Sequence, residues 1–455
     1  MDQIIIKDLD EKRFNALAGQ ARSPAAAYFS QELAWYTNED ETILGIILLD
    51  TVDDDYVSVV LAKDEGGRFR AFDWELSFPD EASALEWLLR VMRWHTCNCP
   101  GIPPEAHQSE RLDLFRPVVP VHKQHVYFSL LMNDTARTPA REMIRRMMPY
   151  YVDIDGNFVQ QFQSDGFESR LWELCVHAYL AEEQLFLDRE HNAPDFLVTK
   201  YGKTVAIEAL TVGRREDNAP KYFKRLLDLK SPNEILVELE NPMPIRFGSA
   251  LFSKLQKRYW ELPHVRGCPL VFAIADFHAD QSMLWSTTAL GNYLYGFKHG
   301  FHLDDKGQLV VDPERIESHR VGDKQIRSGF FFQPDSEHVS AVLFSASGTI
   351  SKFDRMGRQA GFKDPSIVMI REGTCHHHDP NATVPKLFRY LVDEKSNETW
   401  GQGFCMYHNP NAIHPVPEEL FPSIGHHHFK DGLIVSRLPE FYVYASWTYH
   451  LRVME

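Results

Sequence analysis

Cysteine is scarce: six residues in a chain of 455, at Cys97, Cys99, Cys175, Cys268, Cys375 and Cys405. They are scattered along the chain, which excludes a disulfide framework, and Cys175 and Cys268 stand among apolar neighbours and read as core. No apolar run approaches the ~20 residues of a membrane-spanning helix. The opening residues 1–7 lack a basic region followed by an apolar stretch, so no signal or transit peptide is expected and a cytoplasmic protein is the default. Internal repeats, heptad arrays, low-complexity tracts, a phosphate-cradling glycine loop and a Gly-x-Ser-x-Gly elbow are all absent, which removes solenoids, coiled coils, P-loop enzymes and α/β-hydrolases. A basic surplus is missing too. With 48 Lys and Arg against 64 Asp and Glu, the net charge of -16 argues against a protein that coats nucleic acid nonspecifically.

What is present is an ordinary globular composition, 44% hydrophobic and 25% charged, over a length that suits two or three domains. Residues 1–150 read as an α+β module. Strands are expected at 42–49, 56–62 and 68–78, the last two joined by a turn at Asp64–Gly67, followed by a helix capped by Asp80. The triplet Asp53, Asp54 and Asp55 reads as a solvated turn. Cys97 and Cys99 with His95 and His107 match no common zinc spacing. A strand is expected at 125–131 and a helix from Thr138 to Pro149, with Pro139 at its first turn. Asp153 to Asn157 lacks the full calcium-loop pattern and reads as a turn into a strand at 158–163, on which Gln161 and Gln163 sit.

The chemistry concentrates between residues 165 and 277. A helix from Phe167 to Phe186 carries apolar residues at helical spacing, with Asp165 and Glu168 at capping-box spacing. Glu173, between Trp172 and Leu174, has no capping role. Phe196–Thr199 and Thr204–Val212 then read as two strands of a hairpin turning at Gly202. Asp195 opens the first strand, and Glu208 lies inside the apolar run Val205–Leu210, where a bare carboxylate is costly to desolvate and must be paired, hydrogen-bonded or metal-bound. Two hard oxygen ligands at one point suit Mg²⁺. A basic amphipathic segment at 221–230, a helix from Pro244 to Trp260 carrying Lys254 and Lys257, and a strand buried on both faces at 269–277 follow. Residues 196–260 hold 12 Lys and Arg against 7 Asp and Glu, so the local field opposes the acidic total.

Pro194-Asp195, a spacer and Glu208 across a hairpin, in the order helix, strand, strand, helix, strand, resemble the PD-(D/E)XK nuclease superfamily. The position two after Glu208 is Leu210 rather than lysine. The resemblance implies a central restriction-endonuclease-like mixed sheet flanked by helices (α/β, or α+β), with an N-terminal α+β module at 1–150, a nuclease-like core at 151–300 and a β-rich C-terminal domain at 301–455. It implies Asp195, Glu208 and Glu173 as ligands of Mg²⁺ or Mn²⁺, and Lys254 or Lys257 in place of the missing lysine. It also implies phosphodiester hydrolysis of nucleic acid, DNA before RNA, as in a restriction or defence nuclease.

Past residue 300 the pattern is of short strands, with a hairpin expected from 339–345 and 348–353. Two histidine clusters, His376–His378 after Cys375 and His426–His428, with His408 and His414 between them, offer a rival. Imidazole is the commonest ligand of transition metals, yet consecutive histidines on a strand point to opposite faces, so only alternate members can share an ion. Two other functions therefore stand beside the nuclease: a degenerate nuclease fold that binds nucleic acid or protein without cutting, favoured by Leu210, and a metal enzyme centred on these C-terminal histidines.

Overall fold

Alternating apolar residues in the first 80 positions build an antiparallel sheet in simple order, β1 (Ile6–Asp8), β2 (Ser30–Asn38), β3 (Ile43–Asp50), β4 (Asp55–Lys63) and β5 (Phe69–Phe78), in a computed structural model that describes residues 4–98, 112–214 and 231–453. Both faces are apolar. Ile43 and Ile47 of β3 meet Ala84, Leu88 and Met92 of the helix Glu81–Asn98, while Leu44 and Ile46 face the rest of the molecule. Gly45 lets that helix approach, since a Cβ there would lie 2.5 Å from Met92 Sδ.

A mixed eight-stranded sheet organises the remainder. Its first strands are β6 (Phe186–Asp188), β7 (Phe196–Lys200) and β8 (Lys203–Val212), an antiparallel meander, and β9 (Leu270–Asp276) runs parallel beside β8. Two antiparallel ribbons follow, β10 (Phe297–Leu303) with β11 (Leu309–Arg315) and β12 (Ser318–Val321) with β13 (Lys324–Arg327). The chain then returns to the sheet with β14 (Ala341–Ser345) and leaves it for β15 (Ile367–Cys375) and β16 (Lys386–Leu391). It returns again with β17 (Phe404–His408), β18 (Gly425–Lys430) and β19 (Leu433–Arg437), and ends with β20 (Val443–Arg452), which completes a small sheet with β15 and β16. The large sheet reads β19-β18-β17-β14-β9-β8-β7-β6. Four of its strands come from beyond residue 340, so a boundary at 300 does not divide it.

Helices cover both faces of this sheet. On one, Phe167–Glu182 is buried on nearly every side; Trp172 donates to the Ala273 carbonyl at 2.9 Å and Tyr179 stacks on Phe404. On the other, Pro242–Leu255 and Thr287–Tyr295 pack Phe247, Leu251, Leu290 and Tyr293 against Ala206, Leu210 and Phe272. The class is thus mixed α and β. No helix among the described residues is long and apolar enough to cross a membrane.

Several local expectations are corrected. Residues 125–131 and 158–163 form helices, Val126–Asn133 and Phe158–Gln163, rather than strands, because both bury an aromatic stripe (Phe128; Phe158 and Phe162) against the same core. The hairpin expected from 339–353 is instead β14 followed by the helix Ile350–Gln359. Asp165 and Glu168 form no capping box: Gly166 precedes the first turn of Phe167–Glu182, and Glu168 pairs with Arg214 at 3.1 Å. The basic segment 221–230, Cys99 and His107 lie outside the described residues, and His95 pairs with Asp73 at 2.8 Å.

Candidate active site

Strand register sets the site. Phe196 of β7 lies opposite Ile207 of β8, so Asp195 and Glu208 are the next facing positions outward. Opposite residues of an antiparallel pair point to the same face, and on β8 that is the face of Ala206 and Leu210, toward the helix Pro242–Leu255. The backbone N–H of Asp195 donates to Glu208 Oε2 at 3.3 Å, and Asp195 Oδ2 accepts the N–H of Ala209 at 2.7 Å. Arg189 anchors this turn by donating to the Asp195 carbonyl at 2.8 Å.

Glu208 is 4% exposed and fully engaged. Lys254, in the last turn of Pro242–Leu255, donates its ammonium to Oε1, and the Tyr259 hydroxyl donates to the same oxygen at 2.7 Å. Tyr259 can do so because the helix stops at Leu255 and Arg258 takes a left-handed conformation, φ 53°, that folds the chain back. Burial and the Glu208 carboxylate together raise the Tyr259 hydroxyl pKa, which keeps it a donor. An ammonium therefore reaches Glu208 from another element, the end of the helix Pro242–Leu255, and not from the residues that follow it. Lys257 is exposed, past the end of the helix, and its side chain joins neither acid.

Glu173 reaches Asp195 from the other side, across a small polar cleft that both line. It projects from the helix on the opposite face of the sheet, where Tyr151 donates to one oxygen and Arg170 to the other at 2.6 Å. Asp195, Glu208 and Glu173 do not form a trio with one oxygen from each within 4.8 Å of the others. Glu173 still acts through its charge: the Asp195 carboxyl is pushed well above the ordinary carboxylate range by burial first, then by Glu208 and Glu173. Gln161 lies behind Arg170, accepting its Nε at 2.7 Å, whereas Gln163 is wholly buried and braces the chain near residues 114–119.

The donor set fits a hard divalent cation. Asp195 has one oxygen spent on Ala209, and its carboxyl is crowded by negative charge, which a cation at the pair relieves. A small polar cleft lined by Tyr151, Asp153, Arg170, Glu173, Arg189 and Asp195 opens beside it. Tyr259, Tyr151 and Arg170 were not foreseen from the chain. Only Arg170 left a signal, its three-residue spacing from Glu173 on one helix.

No family model, curated protein or solved structure matches this chain.

Proposed function

We propose that this protein is a divalent-metal-dependent nuclease with a restriction-endonuclease-like core, hydrolysing phosphodiester bonds of nucleic acid, DNA before RNA. The single observation that carries the reading is the convergence of Asp195, Glu208 and the Lys254 ammonium at one end of the β7–β8 hairpin. Support also comes from element order: a helix, the strand pair β7–β8 with the short β6 ahead of it, the helices Pro232–Glu240 and Pro242–Leu255, then a strand parallel to β8. Apart from β6 and the extra helix, this follows the helix, strand, strand, helix, strand order of the resembled superfamily, with Lys254 standing where Leu210 leaves a gap.

Asp195 and Glu208 would hold Mg²⁺ or Mn²⁺. When bound, such an ion polarises the scissile phosphate, lowers the pKa of the attacking water and steadies the leaving oxygen. Lys254, already aimed at Glu208 Oε1, orients the water from the helix side and places a positive charge where negative charge develops on the phosphate. Tyr259 keeps Glu208 from rotating. Arg170 pairs with Glu173 and offsets part of its charge beside the cleft.

The test is incubation of the parental chain, Asp195→Ala and Glu208→Gln with supercoiled, linear and single-stranded DNA and with RNA, in Mg²⁺, Mn²⁺ and EDTA. Metal-dependent cleavage by the parent, lost by about 10³-fold or more in either variant, is expected. Cleavage at the parental rate in either variant, or none by the parent on any polymer, overturns the reading.

A further inference from the structure

Strands β17 and β18 run parallel, with Met406 beside His426 and Tyr407 beside His427. Carrying this offset one step further puts His428 beside His408, and their rings stack with centroids 4.3 Å apart. His426 and His428, two apart on one strand, share that face. His427 turns to the other face, where its Nδ1 meets Ser436 Oγ at 2.7 Å. Alternate members of the histidine run therefore meet a third histidine from the neighbouring strand.

The short turn Glu418–Leu420, just before β18, brings a carboxylate to the same place. Glu418 Oε1 lies 2.7 Å from His428 Nε2, and its Oε2 lies 4.0 Å from His426 Nδ1. His408 Nε2 lies 2.9 Å from His426 Nδ1. One ligand atom from each of His408, Glu418 and His428 falls within 4.8 Å of the others. A tetrahedral zinc with bonds near 2.0–2.1 Å separates its ligand atoms by roughly 3.3 Å. The trio's atoms, from 2.7 Å apart at Glu418 and His428 to at most 4.8 Å, span a range that includes that value.

The hydrogen bonds around the cluster suit ligation. His426 Nε2 faces the Phe421 carbonyl at 2.9 Å, a group that only accepts, so the one proton of a neutral ring sits there and Nδ1 presents its lone pair inward. Arg437 donates to Glu418 Oε2 at 2.8 Å and orients that carboxylate from outside. His408 and His426 are buried, while His428 and Glu418 are partly open to solvent, which gives an ion a way in.

We infer that His408, His428 and Glu418, with His426 hydrogen-bonded behind His408, form a binding site for a divalent transition ion, zinc first among them, distinct from the Asp195–Glu208 pair. Two imidazoles and a carboxylate supply three ligands of a tetrahedron, and water takes the fourth position. Its ion pins the Glu418–Leu420 turn and the β18–β19 edge hairpin to β17. Imidazole nitrogen selects zinc over Mg²⁺, so the two sites take different metals.

The experiment uses the full chain without an affinity tag, stripped with a chelator and titrated with Zn²⁺ against a chromophoric competitor. The melting temperature is followed in parallel, with Co²⁺ as a spectroscopic probe. The parental chain should bind one equivalent of zinc, melt several degrees higher with it, and give the intense visible bands of tetrahedral cobalt. Glu418→Gln and His428→Gln, both at partly exposed positions, should keep the fold by circular dichroism yet weaken zinc at least about tenfold and abolish those bands. Asp195→Ala should bind zinc as the parent does. A parent that binds no zinc and melts unchanged with it, or variants that bind it as tightly as the parent, overturns the inference.

Discussion

Lys254 donates to the same oxygen of Glu208 that accepts the Tyr259 hydroxyl, although the lysine stands 46 residues away on a helix packed across the sheet. In the proposed nuclease, an ammonium in that position competes with a metal for the carboxylate and also serves the chemistry.

Lys254→Met should separate these roles. Removing the ammonium frees Glu208 Oε1, so Mg²⁺ should bind at least as tightly, while the cleavage rate with saturating metal falls about 10²–10³-fold. Single-turnover rates across a Mg²⁺ titration read both quantities. Loss of metal affinity with an unchanged maximal rate would show that Lys254 only holds Glu208 in place.

Asp195 gives a dependence on pH. Its carboxyl is raised above the ordinary 3.8 by burial and by Glu208 and Glu173, so the folded chain binds more protons than the unfolded chain over a window that opens near pH 4 and extends upward. Stability without metal must fall as pH rises through that window. Asp195→Asn removes this contribution, so its melting temperature in EDTA should fall less between pH 5 and pH 8 than the parent's, whereas an equal fall contradicts the crowding of these carboxylates.

Glu398 is the carboxylate that buried Lys352, Arg355 and Arg371 share, at 2.8, 2.7 and 3.2 Å. Burial alone would raise its pKa; the three cations overrule it and hold Glu398 below the carboxylate range. Glu398→Gln leaves the cations unpaired and should cost about 3–5 kcal/mol in denaturant unfolding. A loss under about 1 kcal/mol, typical of exposed pairs, would mean that the cluster is solvated.

Gly357 marks the contact between the helices Ile350–Gln359 and Thr138–Met147. A Cβ there would lie 2.2 Å from the Pro139 carbonyl oxygen, which is backbone and cannot swing aside. Gly357→Ala should lower the unfolding midpoint at constant m-value by an amount worth about 3 kcal/mol. An unchanged midpoint would show that the two helices are not in contact.

Much of the core was legible in the chain. The β7–β8 hairpin, the helices on either side of it and the buried strand β9 follow from apolar periodicity and Gly202, and the facing of Asp195 with Glu208 follows from the hairpin. Choosing between Lys254 and Lys257 was beyond periodicity, because the choice depends on the helix stopping at Leu255. The segments 125–131 and 158–163 misled for a different reason: short aromatic runs suit strand and helix alike until tertiary packing decides. His408 meets His428 only because β17 and β18 are parallel neighbours in a sheet whose strand order the sequence does not spell out.

The most direct test of the proposed hydrolytic centre is a double-mutant cycle: single-turnover cleavage of one DNA duplex in saturating Mg²⁺ by the parent, Glu208→Gln, Lys254→Met and the double variant. Residues that act as one unit lose their activity together, so the double variant should be about as slow as the slower single variant. Losses that multiply, or a Lys254→Met enzyme as fast as the parent, would contradict a shared catalytic centre at Glu208 and Lys254.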